Sequence, residues 1–489
     1  MSTDSAVATR PLLDDGLRLW HREEIEGEVD SLAAHLRAVG VRVLATSMDN
    51  TPAWIIADLA AAKAGIVHVP LPLFFAPDQV AHAVANAGVD GALMPAEFAG
   101  RWAAAPTELR SVAGQSLALS RLQGKASLMP VGTAKITFTS GTTGTPKGVC
   151  LSADAMRKVA NGLVSALGPL EIDRHLCALP FSVLLENIAG VMAPMARGAT
   201  CIVLPLVRVG LTGSSAFDVG RFHECVETQR PHSTILLPQM LRAWTAYLQQ
   251  ARRRAPDSLR FVAVGGAAVG APLINAARAV GIPAYEGYGL SEGASVQTLN
   301  LPGADRAGSC GRPLPHARVR MSNDGELLIG GSLFAGYLGG HSADSDWWPT
   351  GDLGMIDGEG FIHVHRRRSN VLITGFGRNV SPEWVETALR GHLAVAQAIV
   401  FGDNQPSLSA VLWPARTGTS DAELSTAVDA ANATLPDYAR VHRWVRARAQ
   451  FSAEVGLATS NGRPQRRAIL HLHADALGLA PAGALSEDR

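Results

Sequence analysis

Apolar and polar positions along this chain repeat with two different periods. In residues 24–38, Ile25, Val29, Leu32 and Leu36 recur at three- and four-residue spacing, which predicts one buried face of an amphipathic helix. Gly40 ends that pattern, and the apolar run 41–46 predicts a strand. A helix over 54–64 with Gly65 as its stop, a strand over 66–70 and a helix over 77–87 follow. The alternation resumes beyond residue 175. Strands are predicted over 176–179, 200–204, 234–237, 261–264 and 284–286, and helices over 185–196, 218–229, 240–251 and 272–279. Strands alternating with helices imply βαβ units around a buried parallel sheet.

The texture changes near residue 308. Short strands separated by Gly turns, at 327–329, 354–356 and 361–363, predict a small β subdomain. The charged stretch Arg366-Arg367-Arg368-Ser369-Asn370 precedes a new run of helices and strands. The fold class is therefore α/β. It comprises a large N-terminal domain (1–368) of βαβ-type parallel sheets with a small β subdomain, followed by a small α+β C-terminal domain (371–489).

Composition narrows the picture further. A length of 489 residues corresponds to about three domains. With 47% hydrophobic and 18% charged residues, a substantial core is expected and a disordered chain is not. Formal net charge is zero, so the basic footprint of a nucleic-acid protein is missing. Cys150, Cys177, Cys201, Cys225 and Cys310 are scattered and odd in number, which suggests neither a disulfide framework nor a zinc site. The first residues show no basic start followed by an apolar run, so no signal peptide is expected. Residues 183–196 form one of the longest apolar stretches, but Glu186, Asn187 and Pro194 interrupt it, well below the ~18–20 residues a membrane span needs. A soluble, reduced, cytoplasmic protein is expected, and nothing in the sequence sets its oligomeric state.

One segment carries specific chemistry. Residues 139–148 read Thr139-Ser140-Gly141-Thr142-Thr143-Gly144-Thr145-Pro146-Lys147-Gly148, after the apolar run 136–138. The glycines permit close backbone approach, the hydroxyls donate hydrogen bonds, and Lys147 supplies a cation. Converging N–H groups, hydroxyls and one lysine are what polyphosphate binding requires. The pattern GxxxxGK[ST] is not met, because Pro146 precedes Lys147, so an ordinary P-loop is excluded. A flexible Ser/Thr/Gly linker would lack the strand-like flanks.

This segment resembles the phosphate-binding signature of the adenylate-forming superfamily, which includes acyl-CoA synthetases, adenylation domains and luciferases. Further motifs follow in the family's order over most of the chain. Tyr288-Gly289-Leu290-Ser291-Glu292, entered through Glu286 and Gly287, resembles the element whose tyrosine packs on adenine and whose glutamate holds Mg²⁺. Ser291 keeps the hydroxyl of the usual threonine. Gly265, Gly266 and Ala267 resemble the turn lining the adenine and acyl pockets, with Phe181, Leu185 and Gly289 as further acyl-pocket candidates. Thr350-Gly351-Asp352 and Arg367 resemble the ribose-binding pair. Asn370 falls at the family's hinge, and Gly375, Phe376 and Gly377 at its thiol tunnel.

One position departs from that pattern. The family's C-terminal lysine, which reaches the acyl carboxylate and α-phosphate, is replaced by Arg463 in Asn461-Gly462-Arg463, and no lysine follows Lys158. Arg keeps the charge and binds phosphate or carboxylate bidentately, but it is not equivalent to Lys. The resemblance implies attack of a carboxylate on the α-phosphate of Mg²⁺-ATP, with Lys147, Glu292 and Arg463 as catalytic residues. Transfer to the thiol of CoA or a carrier-protein pantetheine would follow. A fatty or other apolar acid is the first expectation, since no aspartate stands ready for an α-amino group. A non-thiol acceptor, an unusual small acid and a degenerate nucleotide-binding homologue are the alternatives.

Overall fold

The computed structural model describes residues 10–75, 77–101, 107–139, 147–212, 216–340, 345–367, 372–373, 379–403, 405, 407–435, 439–459 and 462–479. Among these residues, two large sheets carry most of the chain before the β subdomain. The first sheet runs Gly336–Tyr337, Lys147–Ser152, Thr133–Thr139, Val67–Pro70, Val43–Thr46, Gly91–Pro95, Gln115–Arg121, Thr107–Val112. The second is centred on the parallel strands Ala284–Leu290, Phe261–Val264, Ser233–Leu236, Arg174–Leu176 and Thr200–Ile202. Both sheets are mixed, not purely parallel. Hairpin partners such as Thr133–Thr139 with Lys147–Ser152, and Ala284–Leu290 with Ser295–Leu299, run antiparallel at the flanks. Tight connections allow antiparallel pairing, while the parallel centres need helical crossovers.

Local chemistry explains the helix limits. Thr51 accepts a hydrogen bond from the Trp54 amide at the start of Pro52–Ala64, and Gly65 closes that helix in the left-handed region at φ 72°. The helix Pro77–Ala87 and the strand Phe261–Val264 lie where the sequence places them. The predicted helix 185–196 is instead a π-helical segment, Glu186–Met192, running into the short α-helix Ala193–Arg197. Gly190 permits this crowding. A Cβ there would lie 2.6 Å from Glu186 Oε1.

The antiparallel strands Arg318–Met321, Glu326–Gly330, Trp347–Ile356 and Ile362–Arg367 form the β subdomain. Beyond it, the sheet Val395–Phe401, Leu408–Pro414, Val441–Arg446 packs with the helices Pro382–Arg390, Asp421–Ala433 and Arg466–Leu477 around its own apolar clusters. Gly391 abuts Pro272, Gly270 abuts Thr387, and Arg242 donates to the His392 carbonyl at 3.4 Å. These contacts seat the helix Pro382–Arg390 against the Gly-rich turn. No helix among the described residues is long and apolar enough to cross a membrane.

Candidate active site

Lys147 opens the strand Lys147–Ser152, directly after the phosphate-binding candidates. Thr139 ends the strand before them and pairs with Lys147. Ser140, Gly141, Thr142, Thr143, Gly144 and Thr145 lie outside the described residues, as do Asn370, Gly375, Phe376 and Gly377. The strand Gly336–Tyr337 pairs with the same edge, setting Tyr337 opposite Val149. Lys147 Nζ then sits 5.8 Å from the Tyr337 ring centroid, within cation–π range. The Tyr337 hydroxyl donates to Glu292 Oε1 at 2.7 Å. Three segments distant in sequence thus converge on one carboxylate and one ammonium. Tyr337 is absent from the sequence-level candidates. A single tyrosine in a Gly-rich stretch shows no spacing signal, and only the cross-strand pairing reveals it.

A second cluster forms beside it. The strand Ala284–Leu290 carries Glu286, Gly287, Tyr288 and Gly289, and a short helical turn at Ser291–Gly293 carries Ser291 and Glu292. The Tyr288 hydroxyl donates to Asp352 Oδ2 at 2.6 Å. Asp352 is buried, and its backbone pairs with that of Arg367 in the strand register. Its stretch of strand is irregular where Gly351, at φ 75°, donates its amide to Glu326 Oε1 at 2.8 Å, and the Asp352 amide bonds Thr350 Oγ1. Glu326 is a second residue that sequence reasoning missed.

The Glu286 side chain is engaged within the protein. It is buried, and Oε1 accepts the Val269 amide at 3.0 Å, so it braces the turn containing Gly265, Gly266 and Ala267. Burial outweighs the amides of Val269 and Gly270 and pushes this carboxyl up to about 7. The braced turn leaves Ala267 exposed, with Gly266 at φ 86°.

Next to that turn lies a cavity of about 60 Å³. Leu163, Leu185, Ala189, Phe261, Ala263 and Val296 contribute to its largely apolar wall. Leu185 joins it to the turn, because a Cβ at Gly265 would be 3.9 Å from Leu185 Cδ2 and 3.5 Å from the Gly287 carbonyl. The Phe181 ring is buried against Trp54, with centroids 5.3 Å apart, its amide bonds Asn50 Oδ1 at 2.9 Å, and it is not among the residues lining that cavity. Gly289 sits at the exposed end of its strand, where a Cβ would meet the Ser295 carbonyl at 2.2 Å. Arg463 is exposed in a turn of the C-terminal part, its amide bonded to Thr459 Oγ1 at 3.1 Å and its carbonyl accepting from Thr459.

A lysine over a tyrosine ring, a carboxylate bonded to that tyrosine, a buried aspartate on a second tyrosine and an apolar cavity are thus carried on a two-sheet α/β body. The family model "AMP-binding enzyme" matches residues 9–338 and its C-terminal domain matches 369–478. The chain belongs to the AMP-binding enzyme family. It is 30% identical to the feruloyl-CoA synthase of an Amycolatopsis species over 78% of this chain and 80% of that protein. It is 32% identical to the 2-succinylbenzoate–CoA ligase of a Geobacillus species over 55% of each. The chain thus spans about half the length of the first curated relatives it matches. Among solved structures, the o-succinylbenzoate CoA synthetase of Bacillus subtilis superposes with a TM-score of 0.74 at 24% identity, over 94% of both chains. An anthranilate CoA ligase superposes with a TM-score of 0.79 at 19% identity, over 96% of both. These likenesses show the shared fold.

Proposed function

We propose that this chain is an acid–thiol ligase that adenylates an apolar carboxylic acid with ATP, releases pyrophosphate, and passes the acyl group to CoA or a carrier-protein pantetheine. The carrying observation is the apolar cavity meeting the braced Gly-rich turn through Leu185, on a chain that also joins Lys147, Tyr337 and Glu292. A ring or an alkyl chain is favoured there, since removing apolar surface from water drives its binding. Fatty and aryl acids both satisfy this. The named CoA ligases acting on succinylbenzoate, ferulate and long-chain fatty acids bracket that range.

The first step needs no general base, because the acid is ionised at neutral pH. Positioning and charge neutralisation carry the rate. The loop Thr139–Thr145 and Lys147 hold the phosphates, Ser291 adds a hydroxyl, and Glu292 offers a hard oxygen ligand to the Mg²⁺ that accompanies ATP. Tyr288, Gly266 and Ala267 flank the base, and Asp352 with Arg367 takes the ribose. Residues 371–489 turn about Asn370 as a small domain. That rotation brings Arg463 to the first step and Gly375, Phe376 and Gly377 to the thiol path. A cytoplasmic setting, where ATP and CoA are both available, suits this reaction.

Pyrophosphate release tests this reading, with ATP, Mg²⁺ and a panel of fatty, aryl and small acids. Release with at least one apolar acid, and a thioester mass only when CoA is added, is expected. Silence across the panel overturns it in favour of a degenerate nucleotide binder. Acyl transfer to an amine without CoA points to a non-thiol acceptor.

A further inference from the structure

Between the two large sheets lies a buried polar network that the chemistry above does not use. Asp58, on the helix Pro52–Ala64, places its carboxylate oxygens 2.8 and 2.9 Å from Lys135 Nζ. Lys135 is only 3% exposed, and its strand, Thr133–Thr139, runs directly into the phosphate loop. Asn187 joins from the other sheet's side, in the π-helical segment. Its Oδ1 accepts from Lys135 Nζ, and its Nδ2 donates to Asp58 Oδ2 at 3.1 Å. His68 closes the group, with Nδ1 2.6 Å from Asp58 Oδ1 and Nε2 2.8 Å from Thr46 Oγ1. Asn50 makes a parallel clasp, donating to the Leu179 carbonyl and accepting the Phe181 amide.

Paired buried charges do not outperform apolar packing for stability. Their directional bonds instead admit one register where apolar contacts would let two surfaces slide. The register set here joins two functional walls. Leu185 and Ala189, on either side of Asn187, line the cavity, while Lys135 roots the strand that delivers the phosphate loop.

We propose that Asn187, with Asp58 and Lys135, is a positioning device that fixes the acid-binding wall relative to the phosphate loop, setting the distance between the acid's carboxylate and the α-phosphate. This rests on the adenylation reading above. A misplacement of about 1 Å at such a site costs about a hundredfold in rate.

Asn187→Leu tests it, since leucine fills similar volume and leaves Asp58 paired with Lys135. Pyrophosphate-release kinetics are expected to show kcat/KM for the acid lowered about tenfold or more and KM for ATP within about twofold. The paired exchange Asp58→Asn with Asn187→Asp keeps one carboxylate and one amide around Lys135, and it is expected to hold kcat/KM for the acid near wild type where Asn187→Asp alone lowers it. The inference fails if folded Asn187→Leu leaves kcat/KM for the acid unchanged. It also fails if KM for ATP rises to the same extent and the exchange recovers nothing over Asn187→Asp. Should Asn187→Leu not fold, the exchange decides alone: a stable exchange variant with wild-type kcat/KM for the acid supports the device, and one with a lowered value overturns it. A wild-type chain silent with every acid overturns the adenylation reading and this inference with it. An active wild type insensitive to Asn187→Leu removes only the inference.

Discussion

The Tyr337 hydroxyl touches Glu292, and its ring lies within reach of Lys147. A hydrogen bond to a charged group contributes about 1.5–3 kcal/mol. Tyr337→Phe is therefore expected to slow pyrophosphate release about tenfold or more, with the deficit shrinking as Mg²⁺ is raised. Unchanged rates at limiting Mg²⁺ would remove Tyr337 from the site. Arg463 calls for a comparison of two variants. Loss of a donor that acts in the transition state costs about 10²–10³ in rate. Arg463→Ala should show that loss and Arg463→Lys should retain most of the rate, and an alanine variant as fast as wild type ends the assignment. Glu286 makes a pH prediction. Burial raises its folded pKa from 4.5 to about 7, so the folded state holds a proton the unfolded chain has shed. Its contribution to stability is complete below about pH 4.5 and declines as pH rises through about 7, by about 3 kcal/mol at about 1.4 kcal/mol per pH unit. Urea titrations should show Glu286→Gln without that decline between pH 5 and 8. A parallel decline in both proteins would exclude Glu286 as its source.

At the level of elements, the sequence was most legible where one period ran undisturbed. The helix Pro77–Ala87 and the strand Phe261–Val264 are examples, because burial on one face, or on both, leaves a direct imprint on residue order. The segment Glu186–Met192 was legible as helical but not as π-helical. Its wider turn follows from Gly190 making room beside Glu186, and from Asn187 being bound to residues more than fifty positions away. Tertiary partners of that kind leave no local signature. The same holds for Glu326, whose carboxylate accepts the Gly351 amide from a neighbouring strand. Motif residues stand out in the sequence because they fall within a few positions of one another, and residues that brace them from other strands do not.

Across the whole molecule, the helix Pro382–Arg390 and the residues after it rest on the face that carries the Gly-rich turn. Arg242 is buried there beside Arg390, and burial with that neighbouring charge lowers its pKa to about 9. Gly270 holds φ at 85°, and a Cβ would sit 3.0 Å from Thr387 Cγ2. Gly270→Ala is expected to destabilise the fold by about 1–3 kcal/mol through backbone strain and that contact. Combining it with Thr387→Ser should recover part of the loss in denaturant unfolding, and strict additivity would show that strain alone is responsible.

The two-residue strand Gly336–Tyr337 has a kinetic consequence. It closes on Lys147–Ser152 across a long stretch of chain, and its tyrosine reaches a glutamate from a third segment. Contacts of such wide separation bear the largest loop-closure entropy and form late. The lysine, tyrosine and glutamate therefore meet only once both sheets and the β subdomain have docked. A nucleotide that requires all three recognises the finished fold and not its transition state. Stopped-flow measurements should find that saturating Mg²⁺-ATP slows unfolding while leaving the refolding rate where it was.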